Sequence, residues 1–198
     1  MLLRLAKPLP ASIPVSSSNH PCADILHSHS PRPLTVPLPR RNLEPGGWLE
    51  IQDYGLPVKS ADDTHLGTDL LRWGELLCEA ARQLGRPMGS DVSDRYVAWM
   101  EEAGFVDIEQ RMFMWPSNAW PKDPFMKELG RWNQINILDG LEGFCLALLT
   151  RGLGWRKEEV DVFVARVARD LRDRKIHAYF PMPVTFGRKP FPHEVGFH

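Results

Sequence analysis

An α/β fold is predicted for this chain. Two segments, Trp48 to Asp53 and Phe105 to Phe113, alternate apolar and polar residues as half-buried strands do. A third, Ile176 to Phe186, reads as a strand bent or interrupted by Pro181 and Pro183. Between them lie stretches whose apolar residues recur every three or four positions, which is the helical period. The texture changes abruptly near residue 41, so the fold is expected in residues 42 onward.

Leu43-Glu-Pro-Gly-Gly47 is a turn, its proline and paired glycines supplying dihedrals that other residues resist. The first strand comes directly after it, with Leu49 and Ile51 on one face and Glu50 and Gln52 on the other. Thr68 caps a helix predicted to run to Leu84. Leu70, Trp73, Leu77, Ala81 and Leu84 form its apolar stripe, and Gly85 ends it. Ser90 or Asp91 caps the next helix, on which Val92, Tyr96, Met100 and Ala103 share a face before Gly104. The second strand comes next. Asp123-Pro124 is an N-cap with proline at the first helical position. The helical stretch behind it carries Leu129, Trp132, Leu141, Phe144, Cys145 and Leu148, with Gly140 and Gly143 placed to interrupt or kink it. A last helix spans Lys157 to Arg172, with Val160, Phe163, Val164, Val167 and Leu171 facing inward.

Composition bounds the answer without naming it. The chain has 198 residues, 43% hydrophobic and 25% charged, close to a soluble globular average. A net charge of −1 gives no electrostatic pointer to nucleic acid or a membrane surface. No apolar run approaches the roughly 20 residues of a membrane helix. Cys22, Cys78 and Cys145 stand far apart, without the spacing of a disulfide framework or a zinc site. Reduced thiols in the cytoplasm or nucleus are the plain expectation.

Residues 1 to 41 read as a disordered Pro/Ser-rich segment. The first forty hold eight prolines, six serines, no glycine and one acid, Asp24. Arg4 and Lys7 among leucines suggest a transit peptide, but prolines at 8, 10 and 14 break the helix such peptides need. His20, Cys22, His27 and His29 fit no standard zinc spacing.

The later segments carry a resemblance. Leu43-Glu-Pro-Gly-Gly-Trp-Leu-Glu-Ile-Gln-Asp53 is similar to the turn and fifth strand of class I methyltransferases. Trp115-Pro, Trp120-Pro-Lys-Asp-Pro124, Leu138-Asp-Gly-Leu-Glu-Gly-Phe144, Leu153-Gly-Trp155, Ile176-His-Ala-Tyr-Phe-Pro181 and Gly187-Arg-Lys-Pro190 resemble, in order and spacing, the fungal LaeA-like S-adenosylmethionine-dependent methyltransferases. The likeness covers residues 42 to 190, leaving 191 to 198 as a tail. It implies a Rossmann-like sheet of order 3-2-1-4-5-7-6 in which the three strands are 5, 6 and 7, so the slab here is 5-7-6 with flanking helices. It implies S-adenosylmethionine as cofactor and a role in fungal secondary metabolism, tailoring a small molecule or regulating its genes.

In that family a glycine-rich turn and an acid ending the second strand hold the cofactor, both upstream of Leu43. Close backbone approach needs the glycines, and the ribose hydroxyls need the acid. Here the upstream stretch has neither, so the N-terminal strands and the cradle are expected to be missing. Gly152-Leu-Gly154, the one GxG, follows a helix and reads as its stop. No cofactor-binding and no metal-binding residue is assigned, and no catalytic one.

Four residues are candidates for substrate binding: Asp53, Tyr54, Trp115 and Trp120. Asp53 and Tyr54 end the first strand, where open α/β sheets place ligands. Asp53 suits a base or an orienting group, or more plainly a loop acid or helix cap. The tryptophans resemble the family's acceptor cover and suit a flat apolar molecule, with core packing as the alternative for each. His177, beside Tyr179, suits either a base or a satisfied core histidine.

Three functions compete. One is an enzyme transferring methyl groups to a small-molecule acceptor. Another is a catalytically inactive remnant or binding module with a regulatory protein partner. The third is a gene read across the wrong boundary before Asn42. With strand 4 absent, Trp48 to Asp53 should present an unpaired edge, and self-association through it is predicted.

Overall fold

The computed structural model of the chain describes residues 2–6 and 37–194. The elements run β1 (Leu2–Ala6), α1 (Pro37–Asn42), β2 (Trp48–Gln52), α2 (Asp69–Gln83), α3 (Ser90–Ser93), α4 (Tyr96–Glu102), β3 (Val106–Pro116), α5 (Pro124–Leu153), α6 (Lys157–Arg172) and β4 (Tyr179–Arg188). One sheet has the order β1-β2-β4-β3, with every neighbouring pair antiparallel.

Two expectations about the N-terminal segment need correcting. Leu2–Ala6 pairs with β2, from Leu2↔Gln52 to Ala6↔Trp48, so the edge expected to be open is occupied. The first proline is Pro8, and the five residues of β1 keep every backbone donor a ladder needs. Pro37–Asn42 is helical rather than irregular. Its prolines, at 37 and 39, fall in the first turn, where the missing N–H groups would have no intrahelical acceptor anyway. The histidines and cysteine at 20 to 29 lie outside the described residues.

Strand β2 buries Leu49 and Ile51 completely and leaves Trp48, Glu50 and Gln52 half-buried, the alternation its sequence carries. Strand β4 runs without interruption through both prolines, so of the bend or interruption expected there the interruption is not seen. The reason is where their nitrogens point. The carbonyls of Pro181 and Pro183 accept from Gly55 N at 2.6 Å and Asp53 N at 3.3 Å. A residue's N and C=O face the same side of a strand, so the missing donors face the stretch where β2 has already ended. No ladder bond is lost. Strand β3 extends three residues beyond Phe113 and forms the outer strand opposite β1. Its alternation is not matched by burial: Met112, Phe113 and Met114 are all exposed.

Helix α2 is capped by Thr68, whose side chain accepts from Leu71 N, and Leu70, Trp73 and Leu77 are buried as expected. Leu84 lies past the helix and is exposed. A second cap comes from far away: Asp170 of α6 accepts from Asp69 N at 2.7 Å and Leu70 N at 3.3 Å. A carboxylate at this end also favours the helix dipole. The helix expected from Ser90 to Ala103 is two pieces, α3 and α4. It starts at Gly89 (φ 66°), with no side-chain cap from Ser90 or Asp91. A Cβ at 89 would sit 2.9 Å from Leu56 O, so this close approach requires glycine. Helix α5 begins at the Asp123-Pro124 signal and continues unbroken for 30 residues. Gly140 and Gly143 do not interrupt it: each removes a side chain but leaves the backbone donors and acceptors of the helix intact. Helix α6 matches the expected span.

Two clusters form the core. The larger joins α2 (Leu70, Trp73, Leu77), α5 (Leu141, Cys145, Leu149) and α6 (Val160, Phe163, Val167, Leu171) to Phe180 at the start of β4. The smaller packs Leu49 and Ile51 against Tyr96, Trp99 and Met100 of α4. A cavity opens between the two, beyond the carboxyl end of β2.

Candidate functional site

The cavity holds about 480 Å³, within the range of roughly 300–1,000 Å³ usual for small-molecule sites. Its walls are apolar: Trp73, Met88, Ile137, Leu141, Phe144 and Phe180. Its polar end is Asp53, Tyr54, Tyr96 and Asn136. The end of β2 delivers Asp53 and Tyr54, α4 delivers Tyr96, and the middle of α5 delivers Asn136 and Gly140.

Each polar group is held by a specific bond. Tyr96 Oη donates to Asp53 Oδ2 at 2.6 Å, and Tyr54 N donates to Asp53 Oδ1 at 2.9 Å. Tyr96 is fully buried, and burial first, then the neighbouring Asp53 carboxylate, drives its phenol far above the ordinary range. It therefore stays protonated and acts as a fixed donor that orients Asp53. Tyr54 Oη donates to Asn133 Oδ1 at 2.9 Å. That amide cannot turn around, because its Nδ2 is bound to Pro116 O at 2.9 Å. Burial also raises the Tyr54 phenol, with the carboxamide of Asn136 pulling the other way. The result is a carboxylate that accepts from Tyr96 Oη and Tyr54 N in the wall of an apolar chamber.

The four predicted substrate residues divide. Asp53 and Tyr54 line the cavity together. Trp115 is outside it and supports Tyr54 edge-on, with ring centres 5.9 Å apart. Tyr54 meets Phe180 edge-on at 5.8 Å, and Phe180 meets Trp73 at 6.3 Å, so the rings form one continuous stack of edges. Trp120 belongs to a different groove of about 370 Å³ with Met114, Met126, His177 and Tyr179. Its indole N–H is tied to Ala178 O at 2.9 Å, and its ring lies 5.0 Å from that of His177. His177 Nδ1 meets Asp62 Oδ2 at 2.5 Å on the surface. Sequence reasoning misses Tyr96, Asn133 and Asn136 as site residues. A hydroxyl on the otherwise apolar face of Val92 and Met100 is the one available signal for Tyr96.

Among the described residues no group of three or more His, Cys, Asp or Glu side chains is placed to hold a metal ion, and no helix is long and apolar enough to cross a membrane. Cys78 and Cys145 are free thiols, both buried. Gly154 closes α5 with a left-handed φ of 70°. A Cβ at Gly152 would lie 2.7 Å from Ala80 O, so that glycine serves the α2–α5 contact. Neither glycine offers a cradle.

A sheet flanked by helices, with an apolar chamber and a braced carboxylate beyond a strand end, makes this an α/β protein with a cavity of small-molecule size. Comparison with known proteins narrows this. No protein-family model matches the chain. It is 41% identical over 150 residues to the probable methyltransferase tdiE of Emericella nidulans, covering 75% of this chain and 47% of that protein. It is 37% identical over 152 residues to methyltransferase pytC of Aspergillus terreus, covering 76% and 46%. It is 34% identical over 152 residues to the secondary metabolism regulator LAE1 of Cochliobolus heterostrophus, covering 75% and 49%. Over about three quarters of its length the chain is homologous to these fungal proteins named as methyltransferases and secondary metabolism regulators, and it spans about half the length of the curated relatives it matches.

Proposed function

We propose that residues 42–190 form the acceptor-side portion of a class I S-adenosylmethionine-dependent methyltransferase of fungal secondary metabolism, and that the methyl donor is held by residues outside these 198. In this reading β2, β4 and β3 are the fifth, seventh and sixth strands of the family sheet, and β4 is the one reversed strand. The observation that carries it is the cavity at the carboxyl end of β2, which is lined and braced entirely from within the chain. The described residues do not fit S-adenosylmethionine: both glycines of Gly152-Leu-Gly154 are committed to packing and to ending α5. No step of methyl transfer is therefore assigned to this chain's residues. Tailoring of a small molecule and regulation of its genes both agree with the relatives' names, and a cytoplasmic or nuclear setting suits either.

Titration calorimetry tests the division of labour. S-adenosylmethionine should give no binding at micromolar concentration with the 198-residue chain. A chimaera in which residues 42–190 replace the matched stretch of the Emericella nidulans relative should fold and bind it. Micromolar binding by the chain alone, or a folded chimaera blind to the donor, overturns the proposal. A binding module without catalysis is the second reading. It is favoured by the chamber's lining coming from the described residues of this chain, and a donor-binding chimaera that turns over no acceptor would support it.

A further inference from the structure

The outer side of β2, where the sequence places self-association, is taken by β1. The opposite edge of the sheet is β3. We propose that β3 pairs antiparallel with β3 of a second copy of this chain, about a two-fold axis at Met112, and so forms a closed dimer. This does not rest on the methyltransferase reading.

Three observations carry it. The first is exposure on both faces of the strand. Residues 109 to 114 are exposed without a break, and Met112, Phe113 and Met114 are each about half-exposed. Successive side chains on a strand point to opposite faces, so this apolar run lies on both. An element packed on one face covers only part of it, whereas a strand alongside reaches both. Strand β3 is the longest in the sheet. It has no lysine, and no proline before Pro116, to blunt its edge, and its bulge is confined to the start, between Val106 and Glu109.

The second is the direction of the backbone groups. Pro181 and Pro183 turn their carbonyls toward β2, so Phe180, Met182 and Val184, which alternate with them, turn theirs toward β3. Those three stand opposite Trp115, Phe113 and Arg111. Gln110, Met112 and Met114 therefore direct N–H and C=O away from the sheet, where no described strand meets them. The regular stretch is bounded by the bulge at one end and at the other by Pro116, whose carbonyl accepts from Asn133. Its middle residue is Met112.

The third is self-complementarity. With the axis at Met112, Gln110 pairs with Met114 of the second copy, and every outward N–H of the stretch finds a carbonyl. Arg111 then stands opposite Phe113 of the second copy, at the sites between hydrogen-bonded pairs where side chains come closest. A guanidinium is attracted to a ring face, and Arg111 already lies 5.5 Å from the Phe186 ring of its own chain. Its charge is balanced at home by Glu109 at 2.7 Å. An axis at Arg111 would oppose two guanidiniums. An axis at Gln110 would run the bulge into the ladder, and one at Phe113 would bring in Pro116, which has no N–H. Charge and ladder together select one register. Because that register is symmetric, it closes as a dimer and does not grow into a fibre.

Sedimentation velocity tests it. At tens of micromolar the 198-residue chain should show a species of twice the 22.6 kDa chain mass. Met112→Pro deletes an N–H that faces away from β4, so it should halve that mass while thermal unfolding stays cooperative. Phe113→Lys sets an ammonium against Arg111 and should do the same. Under mild oxidation Met112→Cys should cross-link as a dimer well above the unmodified chain, since the paired positions lie within disulfide reach. Gln110→Cys should not, because Gln110 faces Met114 and not itself. A monomeric unmodified chain, open-ended aggregates, a dimer that survives in folded Met112→Pro or Phe113→Lys, or cross-linking at Gln110 in place of Met112 each overturns the proposal. If Met112→Pro does not fold, Phe113→Lys and the two cysteine variants still decide. Hydrogen exchange at the Gln110, Met112 and Met114 amides identifies the other occupants. Protection in a monomer would mean that another segment of this chain lies on β3, and its absence that the edge serves a different protein; both outcomes overturn the second copy.

Discussion

The chamber beyond β2 and the groove around Trp120 are built from the same pieces: a carboxylate, a proton-bearing partner and aromatic rings. They differ in solvent. In the chamber, Asp53 is held at 2.6 Å by Tyr96, which is 1% exposed. In the groove, Asp62 is held at 2.5 Å by His177, and both side chains are about 40% exposed. Burial decides the proton in the first pair: the phenol is pushed up and keeps it. Bonding decides in the second: donors from His177 and Thr64 pull Asp62 down to about 2. Water screens the exposed pair, so the shared geometry does not imply shared energetic weight. The chamber fixes Asp53 beside a buried phenol, whereas the groove ties the loop at residues 60–66 to the residues just before β4.

The sharpest way to break this contrast is at Asn133. Replacing it with alanine orphans the buried Pro116 O and takes one partner from the half-buried Tyr54 Oη, which keeps the Asn136 carboxamide. The orphaned carbonyl costs about 1–3 kcal/mol and the lost tyrosine bond about 1 kcal/mol, so Asn133→Ala should lose roughly 2–4 kcal/mol in urea unfolding. A loss below about 1 kcal/mol would mean that water replaces the amide and that this end of the chamber is wet.

Tyr96→Phe comes next. It deletes one hydrogen bond to a charged acceptor and should cost about 1.5–3 kcal/mol. Asp53 would then lose its brace from α4 but keep Tyr54 N. A neutral result would remove Tyr96 as the residue that positions Asp53.

How much of this is legible in the sequence depends on the range of the interactions. Thr68, Asp123-Pro124 and the stripe of α6 act within one turn of helix, and each is where local pattern puts it. Asp53 and Tyr54 are legible as strand-end residues because chain direction alone places them. Asn133 is invisible. On α5 it reads as one more polar surface residue, and its burial depends on a carbonyl 17 residues earlier in the chain. Trp120 reads as a neighbour of Trp115 because five residues separate them. The end of β3 turns the chain between the two, so one ring supports the chamber and the other covers His177. The pairing of β1 is hidden by the composition of the proline-rich stretch it precedes. Periodicity overstates β3 as well, since an outer strand need not bury its apolar face.

A smaller effect separates the two glycines in the middle of α5, of which Gly140 lines the chamber. Gly143 sits one turn further along α5, exposed, with nothing within 4 Å of its Cβ position. Gly143→Ala should stabilise the chain by about 1 kcal/mol through helix propensity alone. Gly140→Ala should give a similar gain. If the two differ by more than about 0.5 kcal/mol, position 140 carries a constraint beyond open space.

The smallest effect on the fold, and the cleanest contrast with the chamber, is the acid titration of Asp62. Its carboxyl falls from an ordinary 3.8 to about 2, chiefly through the His177 ring and then through the Thr64 hydroxyl. A depressed carboxyl contributes its stabilisation in full above pH 3.8, and that contribution fades as pH drops through 2. Carbon-detected NMR of the Asp62 carboxyl should show a midpoint near 2 that climbs toward 3.8 in His177→Ala. The stability changes of His177→Ala and Tyr96→Phe should add in the double variant, because the groove and the chamber share no lining residue. A departure from additivity beyond about 0.5 kcal/mol would show that the loop tied down by Asp62 and Thr64 reaches the chamber after all, and the separation drawn between the two regions would fall.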